Sequence, residues 1–77
     1  MNDTATLKDL KRGQRARVRA LSSTGGIRRR LLDIGLIEGT EVECLGKSPA
    51  GDPTAYLIRG AVIALRSEDS GQIYICK

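Results

Sequence analysis

The sequence predicts one mainly β domain, a small and partly open barrel of about five strands with one short helix between strands 1 and 2. Several short segments alternate apolar and polar residues, as half-buried strands do. Nine glycines, many at the ends of apolar runs, indicate tight turns between them. Only 3% of the residues are aromatic, and small aliphatic side chains can fill so small a barrel. All 77 residues are assigned to this single domain.

The N-terminal part predicts a single helical turn followed by a strand. Residues 6–10 resemble a capping box, with Thr6 first and Asp9 three positions later, ahead of an apolar pattern. Residues 14–20 then alternate between a small apolar inner face and an arginine row on the outer face: Ala16, Val18 and Ala20; Arg15, Arg17 and Arg19.

A helix is predicted from residue 27 to residue 34, because Ile27, Leu31 and Ile34 fall on one face of a 3.6-residue wheel. We expect this stripe to plug one end of the barrel. Gly35 ends the helix by taking the left-handed conformation, and Leu36 folds back onto the last turn. Ser23 or Thr24 of the preceding loop is expected to cap its start.

The remaining segments predict four further strands, two of which form a hairpin, together with a proline-containing loop and one helical turn. A strand covers residues 41–45, with Val42 and Cys44 inward, and a loop covers residues 46–54. Two further strands, the helical turn and the last strand follow at residues 56–59, 62–66, 67–71 and 73–76, and residues 60–61 form the hairpin turn.

Charge is unevenly distributed along the chain, whose net charge is +4. Residues 8–30 carry nine Lys or Arg and one Asp, whereas residues 31–77 carry four basic and seven acidic residues. A basic region of this kind fits nucleic acid, an acidic protein surface or the inner face of a membrane. The alternative is a solvated face that only keeps the protein in solution. Two tyrosines make a poor platform for stacking bases, so nucleic acid is the weaker of the binding interpretations.

Several classes of chemistry find no support in the composition. The chain has no histidine, which removes the commonest general base and the commonest metal ligand. Glu41 and Glu43 alternate along a strand and are interpreted as a solvated face. Cys44 and Cys76 are far apart, in no C-x-x-C arrangement, and are expected to stay reduced and to point to different sides. We therefore expect no enzyme, no cofactor and no metal site.

The ordered set of motifs resembles the FeoA family of small bacterial proteins of ferrous iron uptake. The likeness is strongest in residues 28–36, which read RRRLLDIGL, and it includes GTEV at residues 39–42 and PAGDP at residues 49–53. It also covers the LKDL turn, Gly60 and the closing IYI. The chain departs from the family pattern at Glu38, where proline is usual, and at Ala50, where a large apolar residue is usual.

The resemblance implies an SH3-like barrel and a non-enzymatic role as cytoplasmic accessory protein of the FeoB membrane transporter, whose cytoplasmic portion hydrolyses GTP. No signal peptide or spanning segment is visible, so we expect a cytoplasmic chain, recruited to the inner face of the membrane by its partner. The expected docking surface combines the helix with the adjacent loop: Arg28, Arg29, Leu32, Pro49, Gly51, Asp52 and Pro53.

Leu32 has two interpretations. It is either the apolar anchor of that surface or a residue that packs under the N-terminal turn. Two other functions stay open, a basic barrel that binds nucleic acid and a stand-alone metal-responsive module like the C-terminal domain of DtxR-type repressors.

Overall fold

The computed structural model describes residues 5–76, which form one five-stranded antiparallel sheet and short helical segments. The sheet order is β4-β3-β2-β1-β5, and it does not close on itself. The strands are β1 (Arg15–Leu21), β2 (Glu41–Lys47), β3 (Thr54–Ile58), β4 (Ala61–Leu65) and β5 (Ile73–Cys76). The helices are α1 (Gly25–Asp33) and α2 (Ser67–Ser70), and a 3₁₀ turn spans Leu7–Asp9. The predicted fold class is confirmed.

The core lies on one face of the sheet, under α1 and the 3₁₀ turn. Alternate residues of each strand point into it because side chains of a strand alternate between faces. Its buried apolar members are Leu7, Leu10, Ala16, Val18, Leu31, Leu36, Val42, Cys44, Tyr56, Ile58, Leu65, Ile73 and Ile75. Cys44 is buried and Cys76 is exposed, as the strand parity predicts.

The predicted inner face of β1 is wrong at Ala20, because the strand contains a β-bulge. Ala16 and Val18 are buried as expected, but Ala20 is exposed. The pairing of β1 with β5 shifts register between Val18 and Ala20. Because the extra residue of a bulge reverses the alternation, Leu21 turns toward the core in place of Ala20.

The hairpin turn between β3 and β4 lies one residue earlier than predicted. Ile58 pairs with Ala61, so the turn consists of Arg59 and Gly60. Both have positive φ, 51° and 85°, which is the requirement of a type I′ turn. The predicted turn at residues 60–61 has the right length but is wrong by one residue, because Arg59 takes the left-handed conformation as the first turn residue.

Helix α1 begins at Gly25, two residues before the predicted start. Thr24 is its N-cap residue, but no side-chain hydrogen bond caps the helix. The predicted end is confirmed, since Gly35 has φ 104° and donates its N–H to the carbonyl of Leu32 at 3.0 Å. The N–H of Leu36 donates to the carbonyl of Leu31 at 3.1 Å. These two bonds form a Schellman motif, which places Leu36 in the core.

The N-terminal turn is fixed to the sheet by Tyr56. The Thr6 N–H donates to Asp9 Oδ2 at 2.9 Å, as the capping box predicts. The Tyr56 hydroxyl donates to the carbonyl of Leu7 at 3.1 Å in the buried interior. Burial raises the pKa of Tyr56, so its hydroxyl keeps the proton that this bond needs.

Candidate functional site

Helix α1 buries one residue fully and exposes most of the others. Leu31 has no accessible surface, whereas Arg28 and Arg29 are exposed. Leu32 is half-buried and lies outside the core cluster and outside the side chains that pack against it. Because residues four apart share a helix face, Arg28 and Leu32 form one flank of α1. The helix therefore presents a cationic and partly apolar surface to solvent.

The two cations on this surface are weakly held. Arg28 Nη1 reaches the carbonyl of Leu21 at 3.5 Å, at the limit of a hydrogen bond. The Arg29 side chain makes no hydrogen bond or ion pair with another residue in the range 5–76. Both guanidinium groups are thus available to acidic groups of another molecule.

On the opposite flank of α1, the predicted core stripe of Ile27, Leu31 and Ile34 is wrong at Ile27. Ile34 packs against the core, but 44% of Ile27 is exposed. A groove of about 520 Å³ separates this flank from β4 and α2, and its apolar lining includes Ile27, Ile34 and Ile63. Ile27 therefore lines the wall of the groove and does not belong to the core.

An ion pair connects α1 to α2 beside the groove. Arg30 Nη2 donates to Asp69 Oδ2 at 2.9 Å. Asp69 is buried, with 7% of its surface exposed, whereas most of the Arg30 side chain is accessible. Periodicity places Arg30 at the edge of the helix, but no local pattern indicates a partner that lies 39 positions along the chain.

The loop at residues 49–53, the second predicted part of the docking surface, is also hydrogen-bonded to α2. Asp52 Oδ1 accepts the N–H of Ser67 at 2.9 Å, and Ser48 Oγ donates to the carbonyl of Asp52 at 2.9 Å. Pro49 and Gly51 are exposed, and Pro53 is half-buried. The side chain of Asp52 is therefore engaged in positioning the loop against α2.

The structure connects the two predicted parts of the site through α2 and not by direct contact. Ser67 and Asp69 of α2 bond the loop and α1 respectively. No residue of the range 49–53 lines the groove beside α1. A partner that touches both parts must extend across α2.

A family model described as the FeoA domain matches residues 5–77 of the chain. The chain belongs to the FeoA family. It is 29% identical, over 69 residues, to a fusion of Fe(2+) transport protein A and the Fe(2+) transporter FeoB from Porphyromonas gingivalis. That alignment covers 90% of this chain and 8% of the fusion protein, so the chain spans a small part of that relative's length. FeoA proteins are associated with ferrous iron transport.

Solved structures of FeoA proteins share the fold. The FeoA protein of Chlorobium tepidum is 32% identical, with a TM-score of 0.86, and the match covers 92% of this chain and 68% of that one. The zinc complex of Stenotrophomonas maltophilia FeoA, described as a prokaryotic SH3 domain protein, is 26% identical with a TM-score of 0.83, and the match covers 94% and 89% of the two chains. The sheet described above is therefore an SH3-like FeoA fold.

A manganese-dependent transcriptional repressor shares this fold at lower identity. It is 17% identical with a TM-score of 0.85, and the match covers 99% of this chain and 42% of that one. At this identity the likeness concerns the fold alone, and it does not carry the repressor's function to this FeoA chain.

The arginine row of β1 differs from the cations of α1, because each of its members has a neighbour on the protein. Arg15 Nε lies 3.5 Å from Glu43 Oε1, and Arg17 Nη1 donates to the carbonyl of Gly39 at 3.3 Å. The guanidinium carbon of Arg19 lies 5.7 Å from the centre of the Tyr74 ring, within the range of a cation–π contact. The arginines of β1 and those of α1 belong to the same basic region of the sequence but have different surroundings in the structure.

Neither a metal cluster nor a spanning helix occurs in the part of the chain that the structure describes. Within residues 5–76 no three side chains of His, Cys, Asp or Glu come together as a metal site. None of the helices there has the length and apolar character that crossing a bilayer requires.

Proposed function

We propose that this FeoA chain is a non-enzymatic accessory protein of ferrous iron uptake that binds an FeoB-type membrane GTPase transporter at its cytoplasmic face and modulates it. The observation that carries the proposal is the relative in which Fe(2+) transport protein A and the transporter FeoB form one polypeptide. Fusion of two proteins keeps them at a high effective concentration, which benefits partners that act together.

The proposed docking surface has the composition that small interfaces need. Arg28 and Arg29 of α1 supply exposed cations for acidic groups of the transporter, and Leu32 beside them supplies an apolar anchor. The loop adds the exposed Pro49 and Gly51, with Asp52 and Pro53 setting its position. In a small interface a buried anchor and arginines contribute most of the binding free energy, so Leu32 is the residue to test first.

The test is the variant Leu32→Asp, measured by co-purification with the full-length transporter and by thermal unfolding. A carboxylate in place of the anchor would have to be desolvated on binding, so we expect a folded variant that no longer co-purifies. Leu45→Asp is the matched control, because Leu45 is also half-buried but lies on β2 beside Lys8 and Lys11, away from α1.

Two results would contradict the proposal. If Leu32→Asp unfolds while Leu45→Asp does not, Leu32 has a structural role. If Leu32→Asp stays folded and co-purifies as well as the unchanged chain, the transporter does not use this flank of α1. An exposed charge in the loop, Pro49→Glu, then reports on the loop separately, with its own loss of co-purification as the expected result.

A further inference from the structure

A second groove lies between the segment that contains the 3₁₀ turn and the end of β2. Its volume is about 710 Å³. One wall consists of residues 8–12 and the other of residues 44–47. We call it the basic groove, because four of its lining residues are cationic: Lys8, Lys11, Arg12 and Lys47. Three of these four belong to the basic region of the sequence, and neither the β1 arginines nor the α1 arginines line the groove.

Backbone hydrogen bonds hold the two walls of the basic groove together. The Gly13 N–H donates to the carbonyl of Cys44 at 2.8 Å, and the Cys44 N–H donates to the carbonyl of Gln14 at 2.9 Å. The turn at residues 11–14 is closed by the Lys11 N–H, which donates to Gln14 Oε1 at 2.8 Å. The cations of both walls therefore start from fixed positions in the fold, although their side chains extend into solvent.

A β-bulge in β2 lies where the two walls meet. The pairing of β2 with β3 shifts register between Cys44 and Gly46, and Gly46 has φ 135°. A β-carbon at Gly46 would lie 3.6 Å from Arg12 Cδ, so the stem of Arg12 packs across this glycine. Long cationic side chains often bury their stems in this way while the charged end stays in water. Arg12 therefore brings its charge across to the wall that carries Lys47.

The four cations of the basic groove have no partner within residues 5–76. All four are exposed, and none of their side chains makes a hydrogen bond or ion pair with another residue of that range. The carboxylate that lines the groove, Asp9, already accepts the Thr6 N–H at 2.9 Å. A β-carbon at Gly71 would lie 3.7 Å from Lys8 Cδ, yet Glu68 of the adjacent α2 forms no ion pair with Lys8. Four positive charges thus face one carboxylate that is engaged elsewhere.

The basic groove offers charge without an exposed apolar or aromatic anchor. Of its apolar lining residues, Leu10 and Cys44 are buried and Leu45 is half-buried. Among the described residues no aromatic side chain lines it, since Tyr56 is buried in the core and Tyr74 lies on β5 under Arg19. Protein partners bind through buried anchors, and single-stranded nucleic acids stack their bases on aromatic rings. The surface of an anionic bilayer needs neither, because each flexible cation can meet a separate lipid phosphate.

We propose that the basic groove binds the phosphate groups of anionic phospholipids at the surface of the membrane that holds the transporter. The inference rests on the proposed function, which brings this chain to that membrane. Lys47 lies two positions before Pro49, so the basic groove adjoins the loop of the proposed docking surface. Simultaneous contact with lipid and transporter raises the effective concentration of each for the other. The lipid contact is electrostatic, and each cation near an anionic bilayer strengthens binding about fivefold.

The test is co-sedimentation of the full chain with vesicles, one set of phosphatidylcholine alone and one set of phosphatidylcholine and phosphatidylglycerol in equal parts. We expect binding to the anionic set only, and less of it as salt is added, because the four charges are exposed. The double variant Lys8→Gln, Lys11→Gln should bind about 25-fold more weakly, at about fivefold for each cation. Arg15→Gln, Arg59→Gln is the matched control, since it removes the same charge from two exposed residues that line a separate cavity and should bind as the unchanged chain does.

Three results would overturn the proposal. The first is no binding to the anionic vesicles at low salt. The second is equal weakening by the two double variants, which would mean that the bilayer senses only net charge. The third is tighter binding of single-stranded DNA or polyglutamate than of the vesicles, lost in Lys8→Gln, Lys11→Gln, which would assign the groove to another polyanion. Because no transporter is present, a chain that co-purifies with the transporter but ignores the vesicles overturns this inference alone, and the reverse result contradicts only the proposed function.

Discussion

The arginines of β1 and those of α1 belong to the same basic region of the sequence, but they have different roles in the structure. On β1, Arg15 faces Glu43, Arg17 bonds the carbonyl of Gly39 and Arg19 lies over Tyr74. On α1, Arg28 has one marginal bond and Arg29 projects into solvent. A strand in the middle of a sheet places its outer side chains beside those of two neighbouring strands, whereas the outer face of α1 is turned to solvent.

The comparison weakens the nucleic-acid interpretation of the basic region. A surface that binds phosphates needs cationic side chains that are not already engaged with other groups of the protein. The β1 arginines already contact other groups of the protein, whereas Arg28 and Arg29 of α1 are available to another molecule. A short cationic helix next to a half-buried leucine suits a small acidic protein surface better than an extended polyanion.

The largest effect is expected from reversing the charges on α1. The double variant Arg28→Glu, Arg29→Glu should weaken binding of the transporter's cytoplasmic portion by about tenfold to 100-fold, because charge complementarity becomes repulsion. Its free energy of unfolding should change by less than about 0.5 kcal/mol, since neither side chain has a strong partner. Titration calorimetry measures the binding and chemical denaturation measures the stability.

The matching reversal on β1 separates position from net charge. Arg15→Glu, Arg17→Glu changes the net charge equally, but it should lower stability by about 1 kcal/mol while leaving transporter binding within about twofold. Equal losses of binding from the two double variants would mean that the transporter senses only overall charge, and the distinction between the two arginine groups would be wrong.

The next largest effect is expected at Arg30, the member of the α1 run that does have a partner. Arg30→Ala should lower the free energy of unfolding by about 1 to 2 kcal/mol, because it leaves the buried Asp69 carboxylate without its cation. Arg29→Ala is the control on the same helix and should cost less than about 0.5 kcal/mol. Equal stability of the two variants would show that the bond to Asp69 does not hold α1 against α2.

Local patterns were sufficient to predict most of the fold. Alternation and glycine placement gave the five strands, and Gly35 gave the end of α1, because hydrogen bonds within a few residues decide these features. The bulge after Val18 escaped prediction, since it depends on how β1 meets β5, more than 50 positions along the chain. The positive φ of Arg59 escaped because arginine carries no signal for it.

The candidate site was less predictable than the fold for the same reason. The helical wheel predicted that Arg28 and Arg29 are exposed. It did not predict that Ile27 is exposed, because Ile27 lines a groove that forms where α1 lies beside β4. The bonds that tie α2 to Arg30 and to Asp52 join residues 39 and 15 positions apart. A single sequence contains no local signal for such pairs, so α2 was predicted as a turn and its role as a connector was missed.

The smallest effect is expected from the pair of Arg15 and Glu43, which face each other across β1 and β2. A double-mutant cycle with Arg15→Ala and Glu43→Ala should give a coupling of about 0.2 to 1 kcal/mol, because the Arg15 side chain is 65% exposed and water screens the ion pair. The coupling should decrease as salt is added, since an exposed ion pair is screened. A coupling as large as the loss at Arg30→Ala would mean that exposure does not distinguish these two ion pairs. A coupling near zero would mean that the ion pair with Glu43 does not stabilise the fold. The β1 arginines whose contacts contribute to stability would then be Arg17 and Arg19.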